Sequence, residues 1–195
     1  MKKVAGIIAL VIMISFLAFF VFFQNYFGNN EGEETTDKTK KILETYKTEI
    51  IVYGDEVELD EHCTIRKIDA LTKENLDLDE EFMYTYLIIN DLSGELTMSD
   101  NDFEILYDKC YNDKLCFFYL GENYLENFRE AEIFVQPLKD TDMSLGVVYE
   151  RGVIMDVLGT WTKDLHNDYI NGDTHLLKEM LMYEIISTIE VDNME

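Results

Sequence analysis

The sequence predicts an α/β domain behind an N-terminal transmembrane helix, and three observations support this fold class. The first is an unbroken apolar run at 4–23. The second is a series of apolar strands separated by amphipathic segments, which is typical of a parallel sheet with right-handed crossovers. The third is a pair of apolar runs within 144–159, which predicts an antiparallel hairpin at the sheet edge. We therefore expect one three-layer domain with a mostly parallel sheet.

The apolar run VAGIIALVIMISFLAFFVFF at 4–23 contains no charged residue and no Pro, Asn or Gln. A helix of about 20 residues covers about 30 Å, the thickness of the hydrocarbon core of a bilayer. A cleaved signal peptide is the alternative, but its apolar region is usually about 7–15 residues long, and no small-x-small cleavage pair follows here. We therefore expect an uncleaved single-pass anchor that contacts the lipid bilayer.

The basic residues around this run predict its orientation. Lys2 and Lys3 lie on the short side, whereas no Lys or Arg occurs at 24–37. Because basic residues stay on the cytoplasmic side, the N-terminus should be cytoplasmic and the rest outside. Lys38, Lys40 and Lys41 are close enough to count against this orientation.

Composition divides the chain into four parts. A cytoplasmic tail (1–3) and the transmembrane helix (4–23) precede a polar tether at 24–38, which has no apolar period. Residues 39–195 then form an acidic extracytoplasmic α/β domain. The whole chain carries 40 acidic against 16 basic residues, a net charge of −24. Such a charge repels nucleic acid and anionic lipid head groups, so we expect no nucleic-acid partner.

The first half of the domain alternates strands with amphipathic segments. EIIVY at 49–53, closed by Gly54, predicts a short strand. FMYTYLIIN at 82–90 predicts a strand buried on both faces. The apolar residues between these strands predict an irregular amphipathic helix; they are Cys63, Ile65, Ile68 and Leu71.

The second half begins with a capping box. Ser99 is followed three residues later by Asp102, which predicts a helix through about Asn112. LCFFYL at 115–120 predicts another buried strand, and 122–134 predicts a helix. A final helix should run from Asp173 or Thr174 to about Glu190, with an apolar stripe of Leu176, Leu177, Met180, Leu181 and Ile185.

The three cysteines, Cys63, Cys110 and Cys116, are too few and too unevenly spaced for a disulfide framework or a zinc site. Cys110 and Cys116 could pair in an oxidising compartment. Buried free thiols are the expected state, because Cys behaves as a small hydrophobic residue.

Polar residues collect where three predicted strands end. The candidate ligand-binding residues are Asn90, Asp91, Ser93, Glu95, Glu122 and Asn123. In open parallel sheets, ligands bind beyond the carboxyl ends of the strands, and oxygen ligands of this kind suit hard divalent cations. The same residue types also form ordinary turns. The sequence therefore leaves a ligand site and a plain turn both open.

Two stretches at this edge resemble known families in part. Asp91-Leu92-Ser93-Gly94-Glu95 resembles the Asp-x-Ser-x-Ser metal motif of von Willebrand factor A domains, with Glu95 in the place of the second Ser. In that family the first Asp and both Ser residues help to hold a divalent cation. The resemblance implies a cation near Asp91 and Ser93.

The second resemblance is to class I glutamine amidotransferase-like domains, which share the order apolar strand, polar loop, helix and apolar strand ending in Gly. Their nucleophilic Cys lies in a Gly-x-Cys-x-Gly elbow. Here the stretch is Gly121-Glu122-Asn123-Tyr124-Leu125, so Asn123 replaces the Cys and Leu125 the second Gly. The resemblance implies a related shape without thiolate catalysis.

Two functions are consistent with these patterns. Neither a nucleophile–base pair nor a metal-ligand spacing is evident, and His62, His166 and His175 are scattered. This favours a non-enzymatic binding or scaffolding module at the cell envelope, with an envelope protein as partner and no required cofactor. The alternative is a metal-dependent hydrolase or transferase that uses Asp91, Glu95 and Glu122 around a divalent cation.

Overall fold

The structure is a computed structural model that describes residues 33–134, 144–150, 153–159, 172 and 174–193. The predicted tail (1–3), the predicted span (4–23) and residues 24–32 of the predicted tether lie outside the described residues. Among the helices that are described, none is both long and apolar enough to cross a membrane. The chain divides into two units between Lys41 and Ile42.

The described residues form four helices and six strands. Their bounds are α1 (Glu33–Thr45), β1 (Thr48–Gly54), β2 (Thr64–Ile68), β3 (Tyr84–Asn90), α2 (Asp100–Asn112), β4 (Cys116–Leu120), α3 (Leu125–Glu130), β5 (Ser144–Glu150), β6 (Val153–Gly159) and α4 (His175–Asp192). Helix α1 begins at Glu33, inside the segment that the sequence assigns to the tether.

One six-stranded sheet joins these strands in the order β2-β1-β3-β4-β5-β6. The pairings among the first four strands of this order are parallel. Strand β5 pairs antiparallel with β4 and with β6, its hairpin partner. The prediction of an α/β domain with a mostly parallel sheet and an antiparallel hairpin at its edge is therefore confirmed.

Strands β1, β3 and β4 are largely apolar because they are buried on both faces. Alternate residues enter two separate core clusters. One cluster joins Ile51, Leu87, Ile89, Phe117 and Tyr119 to Phe103 and Leu106 of α2 and to Leu125 and Phe128 of α3. The other joins Ile50, Val52, Tyr86, Ile88 and Phe118 to Leu43 of α1 and to Leu181 and Ile185 of α4.

The predicted irregular helix around residues 63–71 is wrong, because residues 64–68 form the edge strand β2. Strand β2 pairs in parallel with β1, and Arg66 donates to both carboxylate oxygens of Glu49, at 2.8 and 3.0 Å. An edge strand is covered on one side only, and Ile65 is 43% exposed. Its apolar period is therefore weak, and contacts distant in sequence decide its conformation.

The predicted helices of the second half differ in accuracy. Helix α2 begins as predicted, and its Asp102 Oδ2 accepts from the backbone N–H of Ser99 at 2.7 Å. Helix α3 is shorter than the predicted 122–134, because the chain leaves helical geometry before Glu132, whose φ is +58°. Helix α4 begins after Thr174, one of the two predicted caps.

The free-thiol interpretation of the cysteines agrees with the structure, in which Cys63, Cys110 and Cys116 form no disulfide. Cys110 is fully buried between α2 and the sheet, and burial raises the pKa of its thiol. Both thiols of the Cys110–Cys116 pair considered above therefore serve as small apolar groups of the core.

Candidate functional site at the strand ends

The carboxyl ends of β1, β3 and β4 lie side by side. In the parallel register, Gly54 is opposite Asn90, and Asn90 is opposite Leu120. The residues that follow these strands are therefore neighbours, as expected for adjacent parallel strands. Of the six candidate residues, Asn90 and Asp91 are buried, whereas Ser93, Glu95, Glu122 and Asn123 are exposed.

The Asp91 carboxylate is buried and bonded entirely within the fold. Its Oδ1 accepts from the backbone N–H of Leu96 at 3.0 Å. Its Oδ2 accepts from the Tyr119 hydroxyl at 3.0 Å and from the Asn123 amide at 3.2 Å. These three donors come from the loop after β3, from β4 and from the loop after β4. Asp91, which is 2% exposed, therefore fastens three segments together.

Asn90 shapes the turn at the end of β3. Its side-chain amide donates to the Glu56 carbonyl at 3.2 Å, and its Oδ1 accepts from the Leu92 backbone N–H at 3.2 Å. Its backbone carbonyl accepts from the Asp55 N–H at 2.9 Å. A Cβ at Gly54 would lie 2.2 Å from that carbonyl oxygen, so the approach requires glycine. Asn90 thus has the local turn role that the sequence left open.

Ser93 and Glu95 lie in the exposed loop that follows. The Ser93 backbone N–H donates to Asp55 Oδ2 at 3.0 Å, and the Ser93 hydroxyl accepts from the Glu95 N–H at 3.3 Å. The Ser93 hydroxyl therefore takes part in a local turn. The Glu95 and Glu122 side chains are exposed, whereas Asp91 is buried.

Two tyrosines outside the six candidate residues, Tyr119 and Tyr124, complete the network. The Tyr119 hydroxyl, besides donating to Asp91, accepts from the Tyr124 backbone N–H at 3.2 Å. The Tyr124 hydroxyl donates to the Leu96 carbonyl at 3.0 Å and accepts from the Met98 N–H at 3.1 Å. Burial, and then the neighbouring Asp91 charge, raise the pKa of Tyr119. Tyr119 is therefore a neutral hydrogen-bond donor at physiological pH.

The geometry of this edge is that of a closed, hydrogen-bonded turn. Leu92 is buried, and a Cβ at Gly121 would lie 2.8 Å from the Tyr119 hydroxyl. Among the described residues, no group of three or more His, Cys, Asp or Glu side chains is arranged to hold a metal ion. The arrangement positions the loops that follow β3 and β4.

A second polar cluster lies before β2, outside the six candidate residues. Asp60 Oδ1 lies 2.7 Å from His62 Nδ1 and accepts from the His62 backbone N–H at 3.0 Å. Burial alone would raise the pKa of Asp60, but these hydrogen bonds outweigh burial and lower it. Burial and the Asp60 charge raise the pKa of the adjacent Cys63 thiol to about 12. The thiol is therefore protonated at neutral pH and is not a nucleophile.

This second cluster joins the segment before β2 to helix α4. Glu58 accepts from the Thr174 hydroxyl at 2.8 Å and lies 3.7 Å from the Lys178 ammonium. The i, i+2 spacing of Asp60 and His62 is the sequence pattern that could have identified this cluster, because an Asp side chain accepts hydrogen bonds from the backbone two residues later. The cluster is a tertiary tie between two elements that are distant in sequence.

Comparison with protein-family models, with curated proteins and with solved structures found no significant match to this chain.

Proposed function

We propose that this chain is a single-pass membrane protein whose acidic α/β domain is a non-enzymatic binding or scaffolding module on the outer side of the membrane. The apolar run at 4–23 supports the anchor, and the absence of Lys and Arg at 24–37 supports the orientation. The net charge of −24 supports a partner other than nucleic acid.

The hydrogen bonding of the Asp91 carboxylate is the main support for a non-enzymatic function. A catalytic or metal-binding carboxylate needs oxygen lone pairs directed at its ligand. Both Asp91 oxygens instead accept hydrogen bonds from Leu96, Tyr119 and Asn123 inside the fold. The alternative hydrolase would also require Glu95 and Glu122 to converge on Asp91, and these two side chains are exposed.

Cell fractionation and protease accessibility test the anchor and its orientation. We expect the full chain to sediment with membranes after lysis and to be released by detergent but not by high salt. Protease added to intact cells should degrade the domain. Recovery of the chain in the supernatant, or its full protection until the cells are permeabilised, would contradict the proposal.

Calorimetric titration of the detergent-solubilised full chain with Ca²⁺, Mg²⁺ and Mn²⁺ tests the absence of a metal-dependent site. We expect no saturable heat with any of the three. Saturable heat that disappears in Glu95→Gln or Glu122→Gln would overturn the non-enzymatic assignment. Both substitutions change exposed side chains, so the fold itself should be unaffected.

A further inference from the structure

Helices α2 and α3 enclose a groove of about 460 Å³ that is open to solvent. Two aromatic side chains, Phe103 and Tyr107, line it. Tyr107 is 39% exposed and stacks on Tyr111, with ring centroids 4.5 Å apart and an angle of 29° between the rings. The Tyr111 hydroxyl donates to the Glu132 carbonyl at 3.2 Å and so joins the stack to the end of α3.

The groove presents a fixed aromatic face rather than a mobile one. Phe103 packs edge-on against Phe128 of the core, with a centroid distance of 5.1 Å and an interplanar angle of 83°. Tyr107 is held through its stacking partner Tyr111. A rigid, partly exposed tyrosine ring binds a partner with little loss of conformational entropy.

Acidic side chains also line the groove. Four exposed carboxylates line it: Asp100 and Glu104 from α2, Glu130 at the end of α3, and Glu132 just beyond it. Within the described parts of the chain, none of these four carboxylates forms an ion pair. The groove therefore combines two aromatic side chains with four carboxylates that form no ion pair within the described chain.

We infer that this groove binds an arginine-bearing basic segment of a partner protein. A guanidinium plane stacks on the face of a tyrosine ring and donates to carboxylates around it, so both features of the groove are complementary to it. Because the groove is open, an extended segment fits it better than an enclosed small molecule. A second copy of this chain is a poor occupant, since each copy carries a net charge of −24.

This inference names a partner class for the proposed binding module and in that sense rests on the proposed function. The two proposals can be contradicted separately, however. Loss of binding at the groove would not change the membrane location, and a chain found in the supernatant could still bind the basic segment.

The test measures binding of a fluorescent peptide of alternating Arg and Gly to the detergent-solubilised full chain. The matched peptide has citrulline in place of every Arg, which keeps the shape and removes the charge. We expect saturable binding of the Arg peptide, weakening with salt, and none of the citrulline peptide.

The decisive comparison is between two double variants. Glu104→Gln with Tyr107→Leu removes one carboxylate and one ring from the groove. Glu179→Gln with Tyr183→Leu makes the same changes on the exposed face of α4, which packs on the opposite face of the sheet. We expect the groove variant to lose about ten-fold in affinity and the α4 variant less than about two-fold.

Equal losses in the two variants would mean that the peptide binds the acidic surface as a whole, and would overturn the inference. Binding of both peptides alike would overturn it also. Sedimentation velocity tests whether a second copy of the chain occupies the groove. Concentration-dependent self-association that only the groove variant loses would assign the groove to a second copy and would overturn the inference. Circular dichroism should be unchanged in both variants, because all four substituted side chains are exposed.

Discussion

At the scale of single residues, two carboxylates that are buried in the described chain are hydrogen-bonded in different ways. Glu49 is 4% exposed and forms a two-bond ion pair with Arg66. Asp91 is 2% exposed and accepts from a backbone N–H, a hydroxyl and an amide instead. Burying a charge is tolerated only when such bonds replace hydration. Both carboxylates are therefore parts of the scaffold, although they belong to a chain with 40 acidic residues.

Tyr86 offers the opposite case, a buried hydroxyl without a well-formed hydrogen bond. It is 0% exposed, and within the described chain its hydroxyl meets no partner at full hydrogen-bond geometry. Burial raises the pKa of Tyr86, and a weak contact with the Thr188 hydroxyl, which itself donates to the Glu184 carbonyl, opposes this rise only in part. Tyr86→Phe keeps the ring that stacks on Phe118. We expect its free energy of unfolding to be unchanged or raised by up to about 1 kcal/mol.

Tyr119→Phe is the matched control for Tyr86→Phe, because it removes an equally buried hydroxyl that makes two hydrogen bonds. Chemical denaturation should show a loss of about 1–3 kcal/mol in this variant. A larger loss in Tyr86→Phe than in Tyr119→Phe would mean that the Tyr86 hydroxyl is bonded.

At the scale of elements, strand β2 is held to the sheet by the Arg66–Glu49 ion pair and by its parallel hydrogen-bond ladder with β1. Arg66→Met would leave the buried Glu49 without its cation. We expect a loss of about 2–3 kcal/mol in stability, at or below the usual range for a broken buried pair because Arg66 is partly exposed. Lys67→Met, on the neighbouring position of β2, removes an exposed ion pair with Glu56 and should destabilise the domain much less than Arg66→Met does. Similar losses in the two variants, measured by chemical denaturation, would contradict this role of Arg66.

The turn after β1 depends on the close approach of two backbones. Gly54 has φ +94°, and an added Cβ would meet the Asn90 carbonyl oxygen at 2.2 Å. We expect Gly54→Ala to destabilise the domain by about 3 kcal/mol or more, through strain and overpacking together.

Gly172→Ala separates strain from overpacking. Gly172 has φ +87°, but no heavy atom of the described structure would lie within 4 Å of its Cβ. Thermal unfolding should therefore show a loss of only about 1 kcal/mol, which is due to strain alone. Equal melting temperatures of the Gly54→Ala and Gly172→Ala proteins would rule out the close contact.

Elements with local signals were predictable, and those held by distant contacts were not. The Ser99–Asp102 capping box and the apolar runs of β3 and β4 identified α2 and the central strands. Strand β2 was missed because its charged residues are satisfied by Glu49 and by the Asn75 carbonyl, which are far away in the sequence. In the same way, the turn at Asn90 was predictable, whereas the partnership of Asp91 with Tyr119 needed the register of β3 and β4.

At the scale of the whole molecule, the net charge of −24 opposes compaction. Salt screens this repulsion, since the Debye length falls from about 30 Å at about 0.01 M to about 3 Å at about 1 M. We expect the melting temperature at neutral pH to rise as NaCl is added over this range. Near the isoelectric point of about 4.3, the same addition should have little effect. A fall in melting temperature at neutral pH would show that attractive ion pairs dominate instead.

The edge hairpin has a protective consequence for the centre of the sheet. Strand β4, CFFYL, is uncharged, and β5 covers its outer edge by pairing Val147 with Phe117 and Gly146 with Phe118. Uncovered, such a strand would template aggregation. Val147 is fully buried, so Val147→Asp should loosen the hairpin. On mild heating this variant should form fibrils that bind thioflavin T, while the Gly172→Ala protein stays dispersed.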